Sequence, residues 1–387
     1  MSGPVGIIGV GQTPYRKNNP DKSAGELARI AIVEALSDAG VEPDAIGAVI
    51  GGVAPDALSG IGDIDKAAIA MPGKPYLHVN TGGATGSSAL LAAKTWIDAG
   101  RADVVLVVAL ERMGQAATAQ SIFNTIFDPI YEKDFVLTTI TMAALRATML
   151  MNRDGFTSEH WAGIASRNFT QGTRNPLVIG AKARSVADVL ASPVLAWPLH
   201  LYEACPISEG ACAVVVARGD IARSRNTAWI HGTGAFSDTY SMGDRMHRAE
   251  GSLIEMVPLR RAAEAAYRQA GITDPLHQLN LLELQAPFAI IEAMAYPALG
   301  LCDIDANRSF VERVISEDAP IAINPSGGAQ AANPVSATAL VRIAEAALQV
   351  RGHAGDRQVS GAQLALATGQ GGATQFSTVC ILGSDVP

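Results

Sequence analysis

Apolar positions recur along this chain in two rhythms. Runs such as VGIIGVG at 5–11 and VVLVVAL at 104–110 are apolar almost without interruption, as strands covered on both faces are. Between such runs, Leu27, Ile30, Val33 and Leu36 return at helical spacing. Ser23 opens that helix as a capping box with Glu26, and Gly40 closes it as a C-terminal glycine does. AIGAVIGGV at 45–53 then reads as a buried strand. The stretch NTGGATGSSAL at 80–90 follows the apolar PYLHV and leads into the helical LAAKTWIDAG. A glycine-rich strand-to-helix turn of this kind displays a reactive residue at its apex, yet the apex here is Gly83, which has no side chain.

The pattern repeats. EALSDAGVEPDAIGAVI at 34–50 and AAYRQAGITDPLHQLNLLE at 265–283 share one order: helix end, Ala-Gly, aliphatic residue, polar turn with Pro, apolar strand. The glycine turn, long helix and strand of 81–110 are echoed by PSGGAQAANPVSATALVRIAEAALQVRG followed by GAQLALATG. Each half opens on a strand, VGIIGVG at 5–11 and AWIHGTGAF at 228–236. The expectation is a tandem duplication: 1–222 and 223–387, with 113–195 as an inserted cap that holds much of the odd polar and aromatic content. Strands alternating with helices predict α/β architecture, with mostly parallel, helix-covered sheets in two layers.

Composition narrows the function. The chain has 387 residues, 48% hydrophobic and 17% charged, enough for a large double domain. Its longest apolar runs fall far below the roughly 20 residues of a membrane span. MSGPVGIIGVGQ has no basic segment ahead of its apolar run, so it reads as a first strand and not a signal peptide. The net charge of −8, without a basic run, argues against nucleic acid. Cys205, Cys212, Cys302 and Cys380 form no CxxC pair, which fits buried thiols in a reduced, cytoplasmic chain and no metal site.

The ordered set VGIIGVGQTPY, GATGSSALLAA, ALERM, RNP at 174–176, CPISEGACAVVV at 205–216, ELQAPFAI at 283–290, INPSGGAQAANPVSAT and TGQGGA resembles the thiolase superfamily. It is most similar to the sterol-carrier-type thiolases and their lipid-transfer-protein relatives, over nearly the whole chain. The resemblance implies the thiolase fold: duplicated βαβαβαββ halves in five layers, αβαβα. It also implies covalent catalysis on acyl-CoA. In the family an elbow cysteine attacks, a histidine in Gly-His-Pro activates it, a second cysteine moves a proton, and an Asn or His serves an oxyanion hole. This chain departs at each place: Gly83 at the elbow, Ala332-Asn333-Pro334, about Ala367 for the second cysteine, and Gln285.

With the nucleophile missing, the resemblance leaves two readings. One is an acyl-CoA aldolase of lipid metabolism, a lyase that breaks a β-hydroxyacyl-CoA into a ketone and a shorter thioester without a covalent intermediate. Aldolase relatives use tyrosines, of which only Tyr240, in FSDTYSMGD, has a counterpart here. His78 and His200 are the histidines placed to act as bases, and Asn333, Gln285 and the backbone of Gly83, Gly371 and Gly372 are placed as donors to a thioester oxygen. The other reading is a non-catalytic subunit that binds acyl-CoA or braces a partner. Either needs no cofactor beyond the CoA of the substrate. Arg146, Arg153, Arg167, Arg174 and Lys182 are the cap cations expected to meet CoA phosphates. A homodimer and a small zinc-ribbon/OB-fold partner are further expectations of the resemblance.

Overall fold

A computed structural model describes residues 3–53, 71, 73–115, 119–132, 134–135, 137–246, 248, 252–316 and 318–387. The first half runs β1 (Val5–Gln12), α1 (Ala24–Ala39), β2 (Ala48–Gly52), β3 (Tyr76–Val79), α2 (Thr85–Asp98) and β4 (Val104–Arg112). The cap follows, with α3 (Thr139–Asp154), α4 (Ser158–Gly172) and a short ribbon of Val194–Ala196 with Leu199–His200. β5 (Glu209–Arg218) then returns to the sheet. The second half runs β6 (Ala228–Ser237), α5 (Val257–Ala270), β7 (Leu281–Glu283), α6 (Ala289–Ala298), α7 (Asn307–Val314), β8 (Ala322–Ile323), α8 (Val335–Val350), β9 (Leu364–Gly371) and β10 (Phe376–Gly383).

The repeat is visible in the pairing. The first half orders its strands β3-β2-β4-β5-β1, and the second β8-β7-β9-β10-β6, the same succession. In the first, β2 is parallel to β3 and β4, whereas β5 is antiparallel to β4 and β1. In the second, β7 is parallel to β8 and β9, whereas β10 is antiparallel to β9 and β6. Mostly parallel sheets were the expectation, and the antiparallel pairs correct it. β10 turns straight back from β9, and the cap between β4 and β5 is a long excursion, not a single crossover helix, so neither return has to run parallel. The halves meet where β1 pairs with β6 at Gly6–Trp229 and Ile7–Ala228.

Five layers result. α1 covers the outer face of the first half, with Leu27, Ala31, Ile32 and Ala35 against Val49, Leu106 and Val215. α2 and α8 fill the middle, where Leu90 and Leu340 pack with residues of both halves. α5 and α6, with cap helix α4, cover the second outer face. Among the described residues no helix is long and apolar enough to cross a membrane.

The Ser23–Glu26 capping box and the left-handed Gly40 both form, fixing the bounds of α1. Its buried face differs from the spacing argument. Ile30 and Val33 are 40% and 53% exposed, and alanines take their place inside. β1 is the reason: a β-carbon on Gly9 would stand 2.2 Å from the Ala35 carbonyl, and one on Gly11 would stand 2.1 Å from that of Ala31. Helix and strand touch backbone to backbone, so only small residues fit between them. Gly9→Ala is therefore expected to cost roughly 2 kcal/mol. Urea unfolding measures it, and an unchanged midpoint would show that α1 can slide off β1.

Candidate functional site

Two glycine-rich turns, one from each half, interlock above the middle helices. The elbow at Thr81–Ala84 joins β3 to α2, and the turn at Gln370–Ala373 joins β9 to β10. A β-carbon on Gly371 would stand 2.1 Å from the Thr81 carbonyl, and one on Gly82 would stand 3.2 Å from the Gly372 nitrogen. Gly82 and Gly372 have φ of 61° and 62°, which side chains adopt at a cost. Within the elbow, the Thr85 hydroxyl accepts from the Thr81 N–H at 3.0 Å and donates to the Gly82 carbonyl at 2.6 Å. No side chain caps α2.

Gly83 is a glycine because its β-carbon place is already filled. That atom would lie 2.4 Å from the Gln370 carbonyl oxygen and 2.9 Å from Gln285 Nε2. Gln285 straps the two turns together. Its Nε2 donates to the Gly83 carbonyl at 2.9 Å, its Oε1 accepts from the Gln370 N–H at 2.8 Å, and its own N–H donates to Thr368 Oγ1 at 3.0 Å. Ala367 is buried within β9, between Glu283 and Cys380, and faces the core.

Asn333 stands just before α8, on a segment that Asn324 anchors at its start. Asn324, at φ 51°, accepts from the Leu284 N–H at 2.7 Å and donates to Glu292 at 2.8 Å. Glu292 also receives Asn168, Tyr296 and Arg167 in a buried network. Asn333 is itself engaged: its N–H donates to Ser208 Oγ at 3.1 Å, Thr338 donates to its Oδ1 at 2.7 Å, and its Nδ2 lies 3.0 Å from Cys205 Sγ. Burial pushes the Cys205 thiol up to about 11, the Asn333 contact pulling the other way, so it stays a neutral thiol.

The LYEACPISEG segment brings a group that the sequence reading passed over. Glu203, fully buried, accepts the His200 N–H on Oε2 at 2.8 Å, while its Oε1 has no partner. Burial raises its pKa to about 7, the His200 N–H offsetting a part. An acid beside the apolar residues of LYEAC at 201–205 was the signal available. His200 itself is anchored, its Nδ1 2.8 Å from the Ser192 carbonyl. His78 stands exposed on β3, the outermost strand, with Nε2 3.5 Å from the Val53 carbonyl. Tyr240 is 51% exposed, and its carbonyl accepts from Gln375 just past the second turn. Its phenol is raised by burial, then by Asp128 and Glu132.

The cap cations disperse. Arg167 is held by buried Glu292, and Arg153 by Asp154 at 2.6 Å. Arg174 is exposed. Lys182 joins Arg16, Lys17 and Arg184 around a separate pocket of about 220 Å³ that backs onto Gln330 and Ala331. Arg146 is wholly buried beside the second glycine turn. Among the described residues, no group of three or more His, Cys, Asp or Glu is arranged to hold a metal ion.

Residues 5–177 match the thiolase N-terminal domain, and residues 240–384 the thiolase C-terminal domain-like family. Human sterol carrier protein 2 is 30% identical over 386 residues, which span 94% of this chain and 69% of that protein. The acetyl-CoA acetyltransferase of Methanothermobacter thermautotrophicus is 28% identical, over 95% of this chain and 96% of its own. Among solved structures, the Ltp2-ChsH2(DUF35) aldolase aligns over 99% of this chain and 98% of that one, with TM-score 0.84 and 22% identity. A monomeric SCP2-thiolase-like protein of Mycobacterium smegmatis aligns over 99% and 78%, with TM-score 0.76 and 19% identity. At these identities the structures speak for the fold. Domain matches to both halves and the sterol carrier relatives together place this chain in the thiolase superfamily.

Proposed function

We propose that this chain binds an acyl-CoA thioester and cleaves a carbon–carbon bond in it without a covalent acyl-enzyme, as a retro-aldol cleavage of a β-hydroxyacyl-CoA. One observation carries this reading. The Gln370 carbonyl stands where the β-carbon of a nucleophile would begin, while the turn and helix that would present one are intact. Retro-aldol chemistry needs an acceptor for the β-hydroxyl proton and donors for the thioester enolate. Glu203, with its free oxygen and a pKa of about 7, is the acceptor of this proposal. The donors are the uncapped start of α2, the backbone of Gly83, Gly371 and Gly372, and the remaining N–H of the Asn333 amide. Tyr240, whose raised pKa keeps it protonated, serves as a further donor. Gln285 keeps the two turns in register, and His78, on the outer edge, has no step assigned to it.

The relatives support the class of substrate, and the aldolase neighbour supports the kind of reaction. That neighbour combines Ltp2 with ChsH2, so a small second protein belongs to the proposal, as does a homodimer through the elbow-bearing half. A non-catalytic subunit is the second reading. It is favoured by the extent to which Gln285 and Asn333 are taken up by protein contacts.

The test is turnover by purified protein, alone and with its small partner. A branched β-hydroxyacyl-CoA should release ketone, and acetoacetyl-CoA with CoA should give no thiolysis. Tyr240→Phe should lower ketone release at least about tenfold, the scale of a lost donor. Binding of the thioester without turnover would assign the chain to the subunit reading.

A further inference from the structure

Arg146 of α3 and Arg245 of the short helix Met242–Met246 are buried side by side, 0% and 3% exposed. Both donate to one oxygen, the Ala373 carbonyl, each at 3.0 Å, and Arg146 Nη2 also reaches Thr374 Oγ1 at 2.8 Å. The rest of both guanidinium groups is unsatisfied: Arg146 Nε and Nη1 and Arg245 Nε and Nη2 have no hydrogen-bond partner.

No described carboxylate forms an ion pair with either arginine. Asp238 pairs with Arg248 at 2.8 Å, and Glu132 accepts the Met242 N–H at 2.6 Å and the Ser241 hydroxyl at 3.2 Å. Burial and the neighbouring Arg245 pull the Arg146 guanidinium down to about 9. The surroundings are apolar: Ala373 packs with Phe127, Met142, Met242 and Leu253. Asp238, Glu132 and Asp244 act on Arg245 only from beyond ion-pair range. Two desolvated cations without a carboxylate in contact are costly, and a bound anion offsets that cost.

We propose that the Arg146–Arg245 pair is a subsite for a carboxylate at the far end of the acyl group, so that the substrate is the CoA thioester of a dicarboxylic acid. The free Nε and Nη2 of Arg245 form one edge of the guanidinium, the edge by which Arg153 already holds Asp154 at 2.6 and 2.8 Å. That edge matches a carboxylate two-pronged. Position fits as well. Ala373 lies two residues beyond Gly371, at most about 7 Å of chain from the interlocked elbow. A six-carbon diacid covers such a span, with the apolar cluster flanking its methylenes. The link to a thioester rests on the function proposed above; the anion site itself does not.

Calorimetric titration of the full chain with adipyl-CoA and hexanoyl-CoA, equal in length and differing by one carboxylate, tests this. Adipyl-CoA should bind at least about tenfold more tightly, the scale of a charge-assisted two-pronged contact. In Arg245→Gln the ratio should fall to near one. Equal affinities in the wild type would overturn the subsite and leave the acyl-CoA reading standing. If neither thioester binds, that reading fails, and adipate alone decides: a Tm rise in the wild type absent from Arg245→Gln upholds the anion site, and no rise overturns it. A changed oligomeric state in Arg245→Gln would also overturn it, giving the arginines to a neighbouring chain. Arg146→Met should raise the ligand-free Tm by about 2 °C, since it removes an unpaired buried charge. A fall would make the pair a structural brace instead.

Discussion

Gly83→Cys is expected to show no thiolysis of acetoacetyl-CoA and to lose about 3 kcal/mol of stability, the upper end for an overpacked site. The β-carbon meets the Gln370 carbonyl at 2.4 Å, and that carbonyl is not free to retreat. Gln370 is paired with Ser377 across β9–β10, and its N–H is held by Gln285. Gly83→Ala separates the causes. It should lose as much, because the obstruction is to the first side-chain carbon and not to sulfur. Urea unfolding of both variants beside an acetoacetyl-CoA assay measures it. Thiolysis above background in the cysteine variant would show that the second turn can withdraw, and the non-covalent reading would lose its main support.

Glu203→Gln should produce the opposite pairing, a more stable protein that has lost its turnover. Burial lifts this carboxyl from an ordinary 4.5 to about 7, so the folded chain holds the proton more tightly than the unfolded one. Its contribution to stability is full below pH 4.5 and is lost as pH rises through 7. Above that, the buried charge costs about 3 kcal/mol. Glutamine keeps an oxygen for the His200 N–H and carries no charge. The variant should match the wild type at pH 4.5 and exceed it by about 3 kcal/mol at pH 8, while ketone release from a β-hydroxyacyl-CoA collapses. Wild-type turnover should rise with pH through about 7 as the carboxylate forms. Urea unfolding at both pH values and a pH–rate profile check this. A variant less stable at pH 8 would make Glu203 an anchor for the ribbon and take the proton-accepting role from it.

The duplication was legible in the sequence because each half repeats one order of helix, turn and strand, and the capping box of α1 lies within four consecutive residues, Ser23 to Glu26. Strand direction was not, since an apolar run looks the same whichever way its neighbour points. The face of α1 was misjudged for a related reason: spacing finds large apolar residues, whereas the approach of β1 selects alanines. At the site, Gly83, Gln285 and Asn333 were picked out by position, but the first two depend on backbone from the other half, and Asn333 on the Ser208 and Cys205 side chains. Arg146 was read as a cap cation for CoA although its neighbours in MAALRATMLM at 142–151 are mostly apolar. Only the fold shows that it lies inside beside Arg245, a hundred residues away in the chain.

The occupied place above Gly83 has a historical side. A glycine codon and a cysteine codon differ by one base, so placing a nucleophile here looks like a short step. With the Gln370 oxygen lodged there, that step begins with a loss. The second turn would have to be rebuilt first, when nothing yet rewards the change. Two turns that close on each other in this way work as a ratchet, and the descendants of such a chain are free to refine the chemistry they have but not to take on a side chain at this apex by a single step.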